Sequence, residues 1–208
     1  MAITALITGF GPFPGAPFNP TGPLVGRLAR LRRPGLADVK IIPYVFPTSY
    51  AAVDRELPKL IAKYKPDMVL MFGLAPRART VRVETRARNA LALLPDISGR
   101  SLGRSVIAPG APSAMSLLTP ARHLLAAFRT AHVPTTLSRD AGRYLCNFLC
   151  WRAIEAARRN GPHVVAFVHV PPVPRTTRRL TKYRKPRLAD LTRAGSAVLI
   201  ALAAAARR

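Results

Sequence analysis

Six short apolar runs alternate with segments of helical periodicity, and this alternation constrains the fold more than any other feature of the chain. The runs at 3–8, 39–45, 68–72, 80–85, 133–137 and 164–170 have the length of strands, and several are bounded by Gly or Pro. Between them the spacing predicts helices. Asn19-Pro20 offers a cap followed by a proline at the first helical position, for a helix to about Arg32. Thr48 or Ser49 can cap a second helix that ends near Tyr64. Further helices are expected at about 119–131, 144–160 and 188–206. Strands alternating with amphipathic helices are the pattern of an α/β layer fold. No repeat or linker interrupts it, and 208 residues fit one domain.

Two segments depart from this rhythm. Residues 80–85 alternate, with Val81 and Val83 on one face and Thr80, Arg82 and Glu84 on the other. Residues 95–114 are rich in Gly, Pro and Ser and read as a long irregular segment, a kind that is often functional.

Charge is the second constraint. The chain carries 33 Lys+Arg against 9 Asp+Glu, a formal +24, and 27 of the cations are arginines. Such a field attracts polyanions, but an arginine excess of this kind is also what compositional bias produces, so charge alone assigns no function. Seven cations between Arg175 and Arg187, within a loop at about 172–187, read as a solvated face. Tyr183 is the single aromatic there, where a nucleic-acid module would interleave several.

Cys146 and Cys150 stand four apart, a spacing poorly suited to a disulfide and unlike metal-ligand pairs. No cofactor or metal site is read. The first ten residues lack the basic start of a signal peptide, and the apolar stretch 194–206 is shorter than the roughly 20 residues of a bilayer span. These features imply a cytoplasmic protein without a membrane span.

Three residues can carry chemistry together. Cys146 falls in the first turn of its helix, where free backbone N–H groups and the helix dipole favour a thiolate. His169 sits at the C-terminal end of an apolar strand, where α/β folds place their sites. Glu84 ends another strand and could orient an imidazole. Each residue alone also fits a plain structural role, as Cys150 does in the helix interior.

The motifs around these residues point one way. Thr8-Gly9-Phe10-Gly11-Pro12-Phe13 with Asn19-Pro20-Thr21, Gly73-Leu74-Ala75-Pro76 with Glu84 and Asn89, Ala141 to Asn147, and Phe167 to Pro171 occur in order. Together with Pro95-Asp96 and Pro109 to Pro112, this arrangement resembles the pyroglutamyl-peptidase I (pyrrolidone-carboxylate peptidase) family of cysteine peptidases. Element order and the resemblance together imply a single-domain α/β/α sandwich around a mixed, mostly parallel twisted sheet.

The resemblance also implies a catalytic triad of Cys146, His169 and Glu84, acting on peptides with an N-terminal pyroglutamate. Phe10, Phe13 and Tyr144 match positions that hold rings around the lactam. It further implies a homo-oligomer, a tetramer in many relatives; the sparse aromatics argue against a nucleic-acid partner, which the charge alone leaves open. The chain departs from the pattern at Leu94, where many members have an oxyanion-site arginine. Arg86 or Arg88 could substitute only if their strand runs on regularly past Glu84. Leu74, Arg77-Ala78, Pro14 and Pro171-Pro172 are further departures, and they leave open an altered acyl substrate or weak activity.

Overall fold

The computed structural model describes residues 2–13, 15–119, 121–174 and 185–207. Its strands are β1 (Ile3–Phe10), β2 (Val39–Phe46), β3 (Met68–Leu74), β4 (Val81–Glu84), β5 (Arg86–Arg88), β6 (Ala114–Ser116), β7 (Thr135–Ser138) and β8 (Val164–Val170). Its helices are α1 (Thr21–Ala29), α2 (Tyr50–Tyr64), α3 (Ala121–Thr130), α4 (Leu145–Arg158) and α5 (Leu188–Ala206). Six strands form one sheet in the order β2-β1-β3-β8-β4-β7. The first four run parallel; β4 pairs antiparallel with β8, and β7 runs parallel to β4. This is the mixed, mostly parallel α/β sheet that the element order and the resemblance together imply.

The central strands β3 and β8 are buried along their whole length, which is why they read as continuous apolar runs. Their two-residue period sorts side chains between two cores. Met68, Leu70, Phe72, Val164, Ala166, Val168 and Val170 face one core, with buried residues of α1, α3 and α5. Val69, Met71, Val165 and Phe167 face the other, against Phe148, Leu149 and Ile154 of α4 and Val53 and Leu57 of α2. By the same alternation, Gly73 and His169 belong to the α4 face.

Several boundaries differ from the sequence reading. The expected strand 133–137 forms two residues later, as β7. Helix α1 ends at Ala29, three residues before the expected stop. Its cap is displaced too: Pro20 occupies the N-cap position, and Asn19 Oδ1 accepts from the Thr21 N–H (3.1 Å) and the Thr21 hydroxyl. Neither Thr48 nor Ser49 caps α2 by a side-chain bond to its first turn. Asp96, 46 residues away, accepts from the Tyr50 N–H at 3.1 Å and does so instead. The segment read as irregular, 95–114, holds no helix and no strand before Ala114; it lies between the two strands of the β5–β6 ribbon, which starts only two residues after β4 ends.

Helix α5 is 19 residues long, more than the stretch judged too short to span, and meets the length and composition of a membrane span with mean hydropathy 1.5. Its apolar side chains are used otherwise, since Leu191, Val198, Leu199 and Leu202 are buried in the core with Leu28 and Phe128. Most of the basic loop expected at about 172–187 lies outside the described residues, as does Pro14.

Candidate active site

The site lies at the C-terminal ends of β1, β3 and β8, facing the start of α4. His169 is the sixth residue of β8 and its side chain turns to the α4 face. Glu84 ends β4, the antiparallel neighbour of β8, where Arg82 lies opposite His169 and Val83 opposite Val168. This register brings Glu84 Oε1 to 2.8 Å from His169 Nδ1. Glu84 is 1% exposed, so the strand-end carboxylate is not solvated. Its Oε2 has no hydrogen-bond partner among the described residues.

Cys146 is the second residue of α4 and is half-buried. The chain reaches it through Gly142, whose φ of +83° lies in the left-handed region that favours glycine, and then through the extended residue Tyr144. No side chain caps this helix. The helix therefore starts, with its first-turn amides uncapped by a side chain, at the wall of the cavity that Leu145 and Cys146 line. Asn147 fixes the helix start: it accepts from the Arg88 N–H (2.8 Å) and donates to the carbonyls of Arg88 (2.8 Å) and Ala90 (3.0 Å).

Thiol and imidazole meet over Gly73. A Cβ there would lie 2.8 Å from Cys146 Sγ and 3.0 Å from His169 Cδ2, so the site requires glycine for space alone. His169 is 7% exposed. Burial acts on it most strongly and opposes the charged form, but the adjacent Cys146 and Glu84 together outweigh burial and raise its pKa from 6.5 to about 9. The imidazole is thus held as an imidazolium between a sulfur and a carboxylate. Cys150 is fully buried, and burial pushes its thiol well up, as do the charges of Glu84 and Cys146.

A cavity of about 450 Å³ opens on this arrangement and is lined by Cys146, His169, Phe10, Phe13 and Tyr144 among others. Glu84 stands behind His169 and does not line it. Phe10 packs against Phe46 with ring centroids 6.0 Å apart. Tyr144 donates its hydroxyl to the Pro95 carbonyl at 2.9 Å and meets the Tyr50 ring edge-on at 5.8 Å. The turn after β1 is pinned from two sides: Thr48 donates to the Pro12 carbonyl (2.8 Å) and Asn19 to that of Gly11 (2.9 Å). Among the described residues, no group of three His, Cys, Asp or Glu side chains could hold a metal ion.

The pyroglutamyl peptidase family model matches residues 3–208. The chain belongs to the pyroglutamyl peptidase family. It is 31% identical over 171 residues to the pyrrolidone-carboxylate peptidase of Pyrococcus furiosus, covering 81% of each chain. It is 34% identical over 171 residues to that of Deinococcus radiodurans, covering 81% of this chain and 78% of the relative. Its fold superimposes on the pyrrolidone carboxyl peptidase from Thermococcus litoralis with a TM-score of 0.87 at 28% identity, over 99% of this chain and 96% of that one.

Within this pyroglutamyl peptidase, Leu94 is 56% exposed and does not line the cavity. The two arginines considered as substitutes are turned elsewhere, because the strand does not continue past Glu84. Thr85 bonds to the Ser138 carbonyl through both its N–H and its hydroxyl, and the chain then enters the β5–β6 ribbon. Arg86 donates to the Arg139 carbonyl (2.8 Å), and Arg88 pairs with Asp140 (3.2 Å). Among the described residues, the arginine that does line the cavity is Arg82, which the sequence places only on the Glu84 face of its strand. Strand alternation next to an acid was its one signal. Gly73 had a comparable signal, sharing a face with Val69 and Met71.

Proposed function

We propose that this chain hydrolyses the amide bond after an N-terminal pyroglutamyl residue through a thioacyl-enzyme on Cys146. The observation that carries this reading is the Glu84–His169 contact of 2.8 Å, set behind Cys146 in a cavity with aromatic walls. A lactam ring is small, flat and neutral, and Phe10, Phe13 and Tyr144 suit it as walls.

The thiolate attacks the pyroglutamyl carbonyl carbon and forms the C–S bond. The oxygen takes up negative charge close to the uncapped first-turn amides of α4. On collapse the C–N bond breaks, and His169 delivers its Nε2 proton to the departing amine. Neutral His169 then removes a proton from water as it adds to the thioester. Breaking the C–S bond releases pyroglutamic acid and restores the thiolate–imidazolium pair. Glu84 accepts the Nδ1–H bond throughout, which orients the ring and stabilises its charge. By the family resemblance we also propose cytoplasmic action, where the free thiol of Cys146 stays reduced, and a homo-tetramer, which light scattering would test.

The decisive experiment is release of a fluorescent amine from a pyroglutamyl amide. Wild type is expected to release it, and Cys146→Ala and His169→Ala to fall to background while remaining folded. Turnover retained in Cys146→Ala would refute the thioacyl route.

A further inference from the structure

The cavity has a direction. Phe10 and Phe13 lie at and just after the end of β1, His169 lies on β8, and Arg82 lies on β4 beyond it. With the lactam among the rings and the attacked carbonyl at Cys146, the departing amine sits at His169. The residue after the scissile bond therefore runs toward β4. There it meets Arg82. Directly opposed residues of an antiparallel pair project from the same face, and Arg82 is opposite His169. Its exposed side chain lines the cavity and makes no hydrogen bond or ion pair among the described residues.

The acidic group on this side of the cavity is already engaged. Asp140 accepts from Arg88 at 3.2 Å and from the Gly142 N–H at 3.0 Å. Arg82, Arg88 and Asp140 together leave one positive charge, and among the described residues Arg82 is the member without a side-chain partner.

We propose that Arg82 is a specificity residue that selects substrates carrying a carboxylate immediately beyond the scissile bond. This assignment rests on the peptidase reading above. The carboxylate is either an Asp or Glu side chain or the terminus of a pyroglutamyl dipeptide, and a guanidinium receives each through paired N–H donors.

Four substrates separate the sources: pyroglutamyl-Glu-amide against pyroglutamyl-Gln-amide, and pyroglutamyl-Ala with a free carboxylate against its amide. At low salt, at least one acidic member is expected to exceed its neutral partner in kcat/KM by roughly fivefold, the size of an exposed ion pair. The ratio should shrink in high salt, approach one in Arg82→Gln, survive in Arg82→Lys, and invert in Arg82→Glu. Each ratio is taken within one variant, so a change in folded fraction cancels. Equal cleavage of both pairs by wild type, or a preference that persists in Arg82→Gln, would overturn the assignment while leaving the peptidase intact. Cleavage of none of the four by folded wild type would overturn the peptidase reading and this assignment with it.

Discussion

At the scale of single residues, the site tolerates little because thiol, imidazole and backbone converge on Gly73. A methyl group there would stand 2.8 Å from both Cys146 Sγ and Phe167 Cζ, closer than carbon atoms approach in practice. Gly73→Ala is expected to displace the thiol from His169 and lower kcat about 100-fold, with a stability loss of about 1–3 kcal/mol from overpacking. Steady-state kinetics and urea unfolding would measure the two effects separately. His169 supplies a second prediction. Burial opposes its imidazolium, and Cys146 and Glu84 together outweigh that burial. Because its folded-state pKa of about 9 lies above the ordinary 6.5, its contribution to stability is complete below about pH 6.5 and is lost as pH rises through about 9. Activity should fall over the same upper limb, as the donor for the leaving amine disappears. In Cys146→Ala the ring should titrate lower, which NMR of its carbon-bound protons would follow. An unchanged titration would mean that the sulfur does not stabilise the cation.

Between elements, two side chains do what local caps do not. Asp96 closes the start of α2 and gathers its own loop, accepting from Ser98 and Arg100 as well as Tyr50. Burial raises its pKa, but hydrogen bonds from Ser98, Ser49 and Tyr50 prevail and hold it below the ordinary 3.8. The stability it supplies is therefore present above pH 3.8 and is lost as pH falls through the lower folded-state value. Asp96→Asn should cost about 1–3 kcal/mol at neutral pH and flatten the acid limb of the stability curve. Asn147 joins α4 to β5 by two hydrogen bonds to Arg88 and to the chain just beyond it by a third to Ala90. Asn147→Ala leaves three half-buried backbone groups without their partner, for a loss of about 1–3 kcal/mol. Faster hydrogen exchange at residues 86–90, together with reduced kcat, would trace that loss to the seating of the helix that carries Cys146.

For the whole molecule, the +24 charge is the dominant long-range term. The described ion pairs, such as Arg207–Asp38 and Arg152–Asp54, are largely exposed and offset little of it. Self-repulsion of this size destabilises the compact state and is screened by salt, since the Debye length shortens from about 30 Å at 0.01 M to about 8 Å at 0.15 M. The Tm should rise over that range, by about 2–4 °C for each kcal/mol recovered. A Tm that falls instead would show that favourable pairs outweigh repulsion.

Much of this protein is determined by local pattern. Continuous apolar runs dictate strands buried on both faces, and a two-residue period sends Phe167 and His169 to one side and Val168 and Val170 to the other. A cysteine in the first turn of a helix follows from Gly142 and the apolar run after it. Pattern placed Cys146, His169 and Glu84 at element ends, where each also fits a structural role; the family resemblance is what joined them into one candidate set. What pattern could not decide was which ends meet. The reversed direction of β4 sets its register against β8, and that register alone brings Glu84 to Nδ1 and Arg82 to the rim. The break at Thr85 removes Arg86 and Arg88 from the site, and Asp96 caps a helix from 46 residues away. Periodicity specifies the face a side chain occupies, whereas its partner depends on contacts between distant segments that exist only once the sheet has assembled.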